Sequence, residues 1–268
     1  MKRLLITAMM CAAASGVFAQ DTKTDTTKTD TSNYHTTSGH HIRSGFGDGY
    51  DDKNDRRASI YPKGIFGLTF SRFDLGLATL IDNGSFTLSP KNQFLNYRSW
   101  KTSNVGFDVI QMGVRFNDNF KVYLSGGFDW TLIRLRDNIT ILPNQPVLTY
   151  RADNIDYSKN RFSSSYLRIP LSFDFRSKEN KNGDRFHFII GPDAGLLLNG
   201  RVKQISQENG KQKIDNSYHF TKVRYGGFVR VGYGGWGVFA KYYVNDMFED
   251  SPDQAGLKNF SFGFTFGF

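Results

Sequence analysis

The sequence predicts an all-β fold: an eight-stranded antiparallel transmembrane β-barrel preceded by a disordered N-terminal segment. Three observations lead there. Apolar and polar residues alternate with the strand period of two in run after run. The connections between those runs are long and short by turns. The last run, NFSFGFTFGF at 259–268, sets Phe260, Phe262, Phe264, Phe266 and Phe268 on one side of a strand.

Composition agrees with many short alternating strands. Aromatic residues make up 15% of the 268 and glycine is frequent at 27, yet mean hydropathy is only −0.45. No stretch after the first twenty residues is long and apolar enough for a membrane helix of about 20 residues.

The N-terminus reads as an export signal. Lys2 and Arg3 precede an apolar run from Leu4 to Val17, and Val17-Phe18-Ala19 ends it as a small-residue cleavage site. Residues 1–19 are therefore expected to be a signal peptide. Cys11, the one cysteine, falls inside it, and Met9-Met10 before it do not fit a lipid-modification site. Without that segment the chain has no thiol for disulfides, catalysis or metal binding. Its formal charge of +9 becomes 9 − 2 = +7. In an exported chain that charge points to anionic lipid head groups or lipopolysaccharide rather than to nucleic acid.

Residues 20–60 are polar and repetitive, DTKTDTTKTDTS above all, and are expected to be disordered in the periplasm. They hold His35, His40 and His41 and the acidic Asp48, Asp51, Asp52 and Asp55. Arg56 breaks the spacing of a calcium loop, so no metal site is expected.

From 61 to 268 the strand texture is continuous. Eight runs are read: from Gly64 through GIFGLTFSRFDLGLATL, then 104–116, 120–136, 164–177, 185–202, 218–234, 236–248 and 257–268. In the third, Val122, Leu124, Phe128, Trp130 and Leu132 oppose Tyr123, Ser125, Gly127, Asp129 and Thr131. In the fourth, Leu167, Ile169, Leu171, Phe173 and Phe175 oppose Tyr166, Arg168, Ser172, Asp174 and Arg176. The first two runs slip phase near Arg72 and Ile110, which predicts bulges.

Alternation alone fits a soluble barrel with its apolar face inward, or a membrane barrel with that face outward. Connection lengths separate them. The segments near 79–103, 137–163, 203–217 and 245–256 are long, and those at Asn117-Asp118-Asn119, KENKNGD and Gly234-Gly235 are short. An outer-membrane barrel has this asymmetry, with tight periplasmic turns and long outer loops. Most runs also reach the roughly 9–11 residues that a tilted spanning strand needs.

SYLRIPLSFDF, RFHFIIGPDAGLLLNGRVKQ, VRYGGFVRVGYGGWGVFAKYYVNDMF and the phenylalanine-rich last strand together resemble the PorT-like outer-membrane β-barrel family of Gram-negative bacteria, over roughly 60–268. The resemblance implies an outer-membrane barrel, usually of eight strands, with some relatives associated with protein secretion. It supplies no catalytic motif.

An eight-stranded barrel has an interior just wide enough to be filled by side chains. Asp129, Arg168, Asp174, Arg176, Asp193, Lys222, Arg224, Arg230 and Lys241 fall on the polar faces and are expected to form an ion-pair network there. A selective pore would need more strands. The five C-terminal phenylalanines are expected to face lipid, and Phe268 resembles the aromatic end recognised by outer-membrane assembly machinery. The expected role is structural or interactive, in an envelope or secretion assembly, with an unknown protein partner and no catalytic residue, cofactor or metal. Two alternatives stand beside it. One is a lipid-modifying enzyme using His219 with Ser217 and Asp215, His187 being on the periplasmic side. The other is a soluble periplasmic barrel that binds an apolar ligand.

Overall fold

The computed structural model describes residues 61–69 and 72–268. The expected signal peptide at 1–19, the 20–60 segment and its histidine and aspartate cluster lie outside the described residues. In chain order the strands are β1 (Lys63–Leu68), β2 (Phe73–Asp82), β3 (Ser103–Asn117), β4 (Phe120–Arg134), β5 (Ile139–Ile141), β6 (Tyr150–Ala152), β7 (Lys159–Arg176), β8 (Phe186–Ser206), β9 (Gly210–Asn216), β10 (Val223–Tyr233), β11 (Trp236–Tyr243) and β12 (Leu257–Phe266). Among the described residues no helix is long and apolar enough to cross a membrane.

Eight strands make an antiparallel hydrogen-bonded ring, in the order β2, β3, β4, β7, β8, β10, β11, β12 and back to β2. The register shows how the ring is staggered. Phe120 lies opposite Phe175, which lies opposite Phe188, then Val231, Val238, Phe264, Leu75, Val105 and Trp130. The circuit returns to β4 ten residues further on, 130 − 120 = 10. At about 3.3 Å per residue and about 4.8 Å between strands, that stagger corresponds to a strand tilt of about 40°. Every residue on the circuit is apolar, so one apolar spiral winds round the outer face.

The phase slips have structural causes. β3 bulges between Asp108 and Ile110. The first run is two strands: β1 pairs with the far half of β3, Leu68 opposite Ile110, and β2 with the near half, Phe73 opposite Phe107. The sixth run starts at Val223 rather than 218, because Tyr218 and His219 turn the chain with φ of 50° and 56°. The long connections carry strands that periodicity missed. β5 and β6 pair as a hairpin, and β9 pairs with the end of β8.

The two ends differ. The tight turns after β3, β7 and β10 share one end with the start of β1 and the close of β12. At the other end β4, β7 and β8 run on into the long connections, and a cap forms. Its core packs Leu80, Leu95, Ile133, Ile141, Phe162, Phe220, Phe248 and Leu257, all at 4% exposure or less. Phe162 stacks on Phe220 at 4.7 Å and Phe220 on Phe248 at 5.1 Å between ring centres. This is a conventional apolar core, and it covers one end of a ring whose interior is polar.

Candidate functional site

Around the ring, inward and outward residues exchange their usual characters. Phe264 is 56% exposed and Trp236 62%, whereas Asp74, Asp108 and Asp129 are at 0%. On β7, Arg168, Ser172, Asp174 and Arg176 are buried while Ile169 and Phe175 on the opposite face are exposed.

Two carboxylates organise the centre. Asp74 accepts from Arg168 Nη1 at 2.7 Å, Arg230 Nη2 at 2.9 Å and the Thr265 hydroxyl at 2.8 Å, with Lys241 Nζ at 3.3 Å. Asp129 accepts from Arg224 Nη2 at 2.7 Å, Lys241 Nζ at 2.8 Å and Asn104 Nδ2 at 2.9 Å. Arg168 joins them to a third, donating from Nε and Nη2 to Asp108 Oδ1 at 2.8 and 2.6 Å. Toward the tight turns Asp174 gathers His187 Nδ1 at 3.2 Å, Lys121 Nζ at 3.4 Å and Arg176 Nε at 3.8 Å. Asp193 accepts from the Tyr243 hydroxyl at 3.2 Å.

Packing supports the ion pairs. The Arg224 guanidinium lies between the Tyr166 and Tyr243 rings, 3.9 and 4.2 Å from their centres. Glycine makes room for two of the guanidinium heads. A Cβ on Gly106 would sit 2.7 Å from Arg168 Nη1, and one on Gly195 2.9 Å from Arg224 Nε. Between this network and the cap lies a cavity of about 20 Å³ lined by Thr131, Ser164, Tyr166 and Arg224 among others. That is space for about one water. Buried charges must be paired and hydrogen-bonded, and here they are held by one another across strands distant in sequence.

An all-β ring with lipid-compatible residues outside and salt bridges inside is an outer-membrane pattern. The outer membrane protein beta-barrel domain family matches over residues 18–249. The chain belongs to that family. No curated protein matches it. Membership in the outer-membrane barrel-domain family accounts for the reversed faces of the ring and suggests an outer-membrane location.

Of the residues that sequence periodicity assigned to the interior, Asp129, Arg168, Asp174, Arg176, Asp193, Arg224, Arg230 and Lys241 are buried inside the ring. Lys222 is not. It precedes β10, its side chain is 76% exposed, and its ammonium pairs with Glu249 at 2.9 Å on the rim. Asp74, Asp108, Arg72 and Lys121 belong to the interior and were missed. The first three sit beside the phase slips, and Lys121 follows immediately on the turn into β4.

The C-terminal phenylalanines divide. Phe262, Phe264 and Phe266 are exposed on the outer face and Phe260 is half-buried beside Phe262. Phe268 departs from the expected face. Gly267, with φ of 80°, turns the chain, and the Phe268 ring lies 5.1 Å from the buried His187 ring and close over Gly232 and Gly237.

The groups of the alternative catalytic trio are engaged separately. The Asp215 carboxylate pairs with Arg201 and takes a bond from Asn199 at 3.0 Å. His219 Nε2 is 2.7 Å from the Gln145 carbonyl, and Ser217 Oγ is 3.5 Å from Asn216 Oδ1. Among the described residues there is no cluster of three metal-ligating side chains. In the cap, burial pushes the Asp153 carboxyl upward, but hydrogen bonds from Thr140, Arg151 and Tyr157 outweigh it and hold the group below the usual carboxylate range.

Proposed function

We propose that the chain is a PorT-like, eight-stranded transmembrane barrel of the outer membrane that acts without catalysis, as a structural or interaction component of an envelope or secretion assembly. In this reading residues 1–19 direct export and the 20–60 segment lies in the periplasm. Outer-membrane lipid and lipopolysaccharide surround the ring, and outer-membrane assembly machinery inserts it.

The observation that supports a scaffold over a pore is the interior network. Seven buried cations (Arg72, Lys121, Arg168, Arg176, Arg224, Arg230, Lys241) and five carboxylates (Asp74, Asp108, Asp129, Asp174, Asp193) occupy the space a solute would need. Function then falls to the outer surfaces: the apolar belt, and the cap, where Phe86 and Val147 are exposed.

Planar-bilayer recording tests this reading. The purified chain is expected to insert without opening a sustained ion-conducting state at neutral pH. Steady conductance steps in proportion to inserted protein would replace the scaffold with a channel.

A further inference from the structure

Beyond the apolar belt, the strand extensions carry an arrangement that a bare sheet disfavours. Arg134 on β4 lies opposite Arg161 on β7, Arg161 opposite Lys203 on β8, and Lys203 opposite Lys213 on β9. Four cations thus stand in one rung across four neighbouring strands. Lys159 and Lys211 flank the rung, both opposite Ile205. Arg134, Lys159, Arg161 and Lys203 face outward, because the residues alternating with them, Ile133, Leu135, Asn160, Phe162, Val202 and Gln204, are buried, and Lys211 and Lys213, directly opposite Ile205 and Lys203, share that face. Like charges directly opposite one another destabilise a sheet.

Neutralisation is incomplete. Arg201, one rung nearer the ring, is opposite Asp215 and paired with it. Among the described residues, no carboxylate lies within ion-pair distance of Arg161, Lys203, Lys213, Lys159 or Lys211. The Lys203 ammonium is held below the ordinary lysine value, first by desolvation and then by repulsion from Lys159, Arg161, Lys211 and Lys213. Lys159 is lowered in the same way, by desolvation and then by Arg161, Arg134 and Lys211.

Position decides what would supply the missing anions. The rung begins two residues past Leu132, on the same outward face as Trp130, Phe128 and the belt below. Arg98 adds a further cation beside it, its amide donating to the Arg134 carbonyl at 2.8 Å. Trp100, two residues after Arg98, is 88% exposed, and tryptophan favours the membrane–water boundary. Three interstrand steps of about 4.8 Å make the rung about 14 Å long, enough for more than one phosphate group.

We propose that this rung is a docking site for the phosphate-bearing head groups of outer-leaflet lipid, seated with their acyl chains against the belt beneath. The proposal rests on the outer-membrane orientation given above and names the lipid chemistry that the orientation leaves open. A phosphorylated lipid fits better than a soluble polyanion because the cations continue the apolar surface rather than stand apart from it.

The test uses the full chain in neutral detergent, titrated by native mass spectrometry with a bis-phosphorylated, multiply acylated glycolipid. A variant carrying Arg161→Ser, Lys203→Ser and Lys213→Ser is compared with one carrying Lys63→Ser, Lys178→Ser and Lys181→Ser, which removes equal charge at the tight-turn end. Heat-dependent gel mobility reports folding. The rung variant is expected to bind the lipid about a hundredfold more weakly, while the control variant binds as the parent does. The dephosphorylated glycolipid should bind the parent no better than the phosphorylated one binds the rung variant.

If the triple change prevents folding, Lys203→Gln with Lys213→Gln is used, with a loss of about tenfold or more expected. Equal affinity in a folded rung variant overturns the proposal. So does equal binding of the dephosphorylated lipid, or displacement of the lipid by inorganic phosphate at matched concentration. A parent chain that inserts into neutral bilayers yet ignores lipid phosphate removes this proposal alone. Failure to insert into any bilayer removes the membrane reading and this proposal with it.

Discussion

Asp74→Asn should destabilise the folded ring by about 3–5 kcal/mol, the range for breaking a buried ion pair by removing one partner. The substitution nearly preserves shape and takes away the charge that Arg168, Arg230 and Lys241 share. Those three heads are almost completely buried, so water cannot take the place of the lost carboxylate without opening the interior. The Thr265 hydroxyl, which donates to Asp74, loses its charged acceptor as well. Urea unfolding in detergent, followed by heat-dependent gel mobility, reads the change. Asp253→Asn is the reference, since Asp253 and its partner Lys91 are both mostly exposed, and it should cost about 0–1 kcal/mol. Comparable losses at the two sites would mean that the interior is wet rather than filled.

Phe262→Arg should block or severely slow assembly. Phe262 is 44% exposed on the outer face and lies opposite Leu77 on one side and Ala240 on the other. Ala240 is midway along β11's outward row, between Trp236 toward the tight turns and Val244 toward the cap. Arginine facing the middle of the hydrocarbon costs about 2–4 kcal/mol, falling to about 0–1 kcal/mol near the interface. Trp236→Arg, beside the Gly234-Gly235 turn, should therefore be much milder. The measurement is the folded fraction recovered after refolding into lipid vesicles, and a penalty independent of depth would contradict a lipid-facing belt. Thr265 cannot serve as the inward control for arginine, because it is 1% exposed and its neighbours leave no room.

Much of the ring was legible where a strand keeps one phase over the length that lines the interior. In the fourth run every second residue from Tyr166 to Arg176 points inward, with no bulge within that stretch to interrupt it. Asp74 and Asp108 were illegible for the converse reason. The break between β1 and β2 and the bulge at Asp108 and Ile110 shift the period within a single run, and a face cannot be assigned across a slip. Lys222 was misplaced because the alternation was extended through a turn, at Tyr218 and His219, where side chains no longer alternate. The cap was hidden differently. Phe162 is on the same face as Arg168 and Asp174, yet that face is polar within the ring and apolar above it. Nothing in the period marks where one environment gives way to the other. The remaining cap residues, Leu95, Ile141, Phe220 and Phe248, come from segments that look like separate loops until the fold brings them together.

A transmembrane ring must turn its apolar face toward lipid. Nitroxide labels read this directly when placed singly at Leu75, Ile169, Ile190 and Phe262, in a chain carrying Cys11→Ser and reconstituted in bilayers. All four native side chains are exposed on the outer face. Oxygen concentrates in hydrocarbon and a charged nickel chelate stays in water. Oxygen is expected to relax each label more strongly than the chelate does, most of all at Phe262. Stronger relaxation by the chelate at these positions would place the belt in water and overturn the lipid-facing orientation.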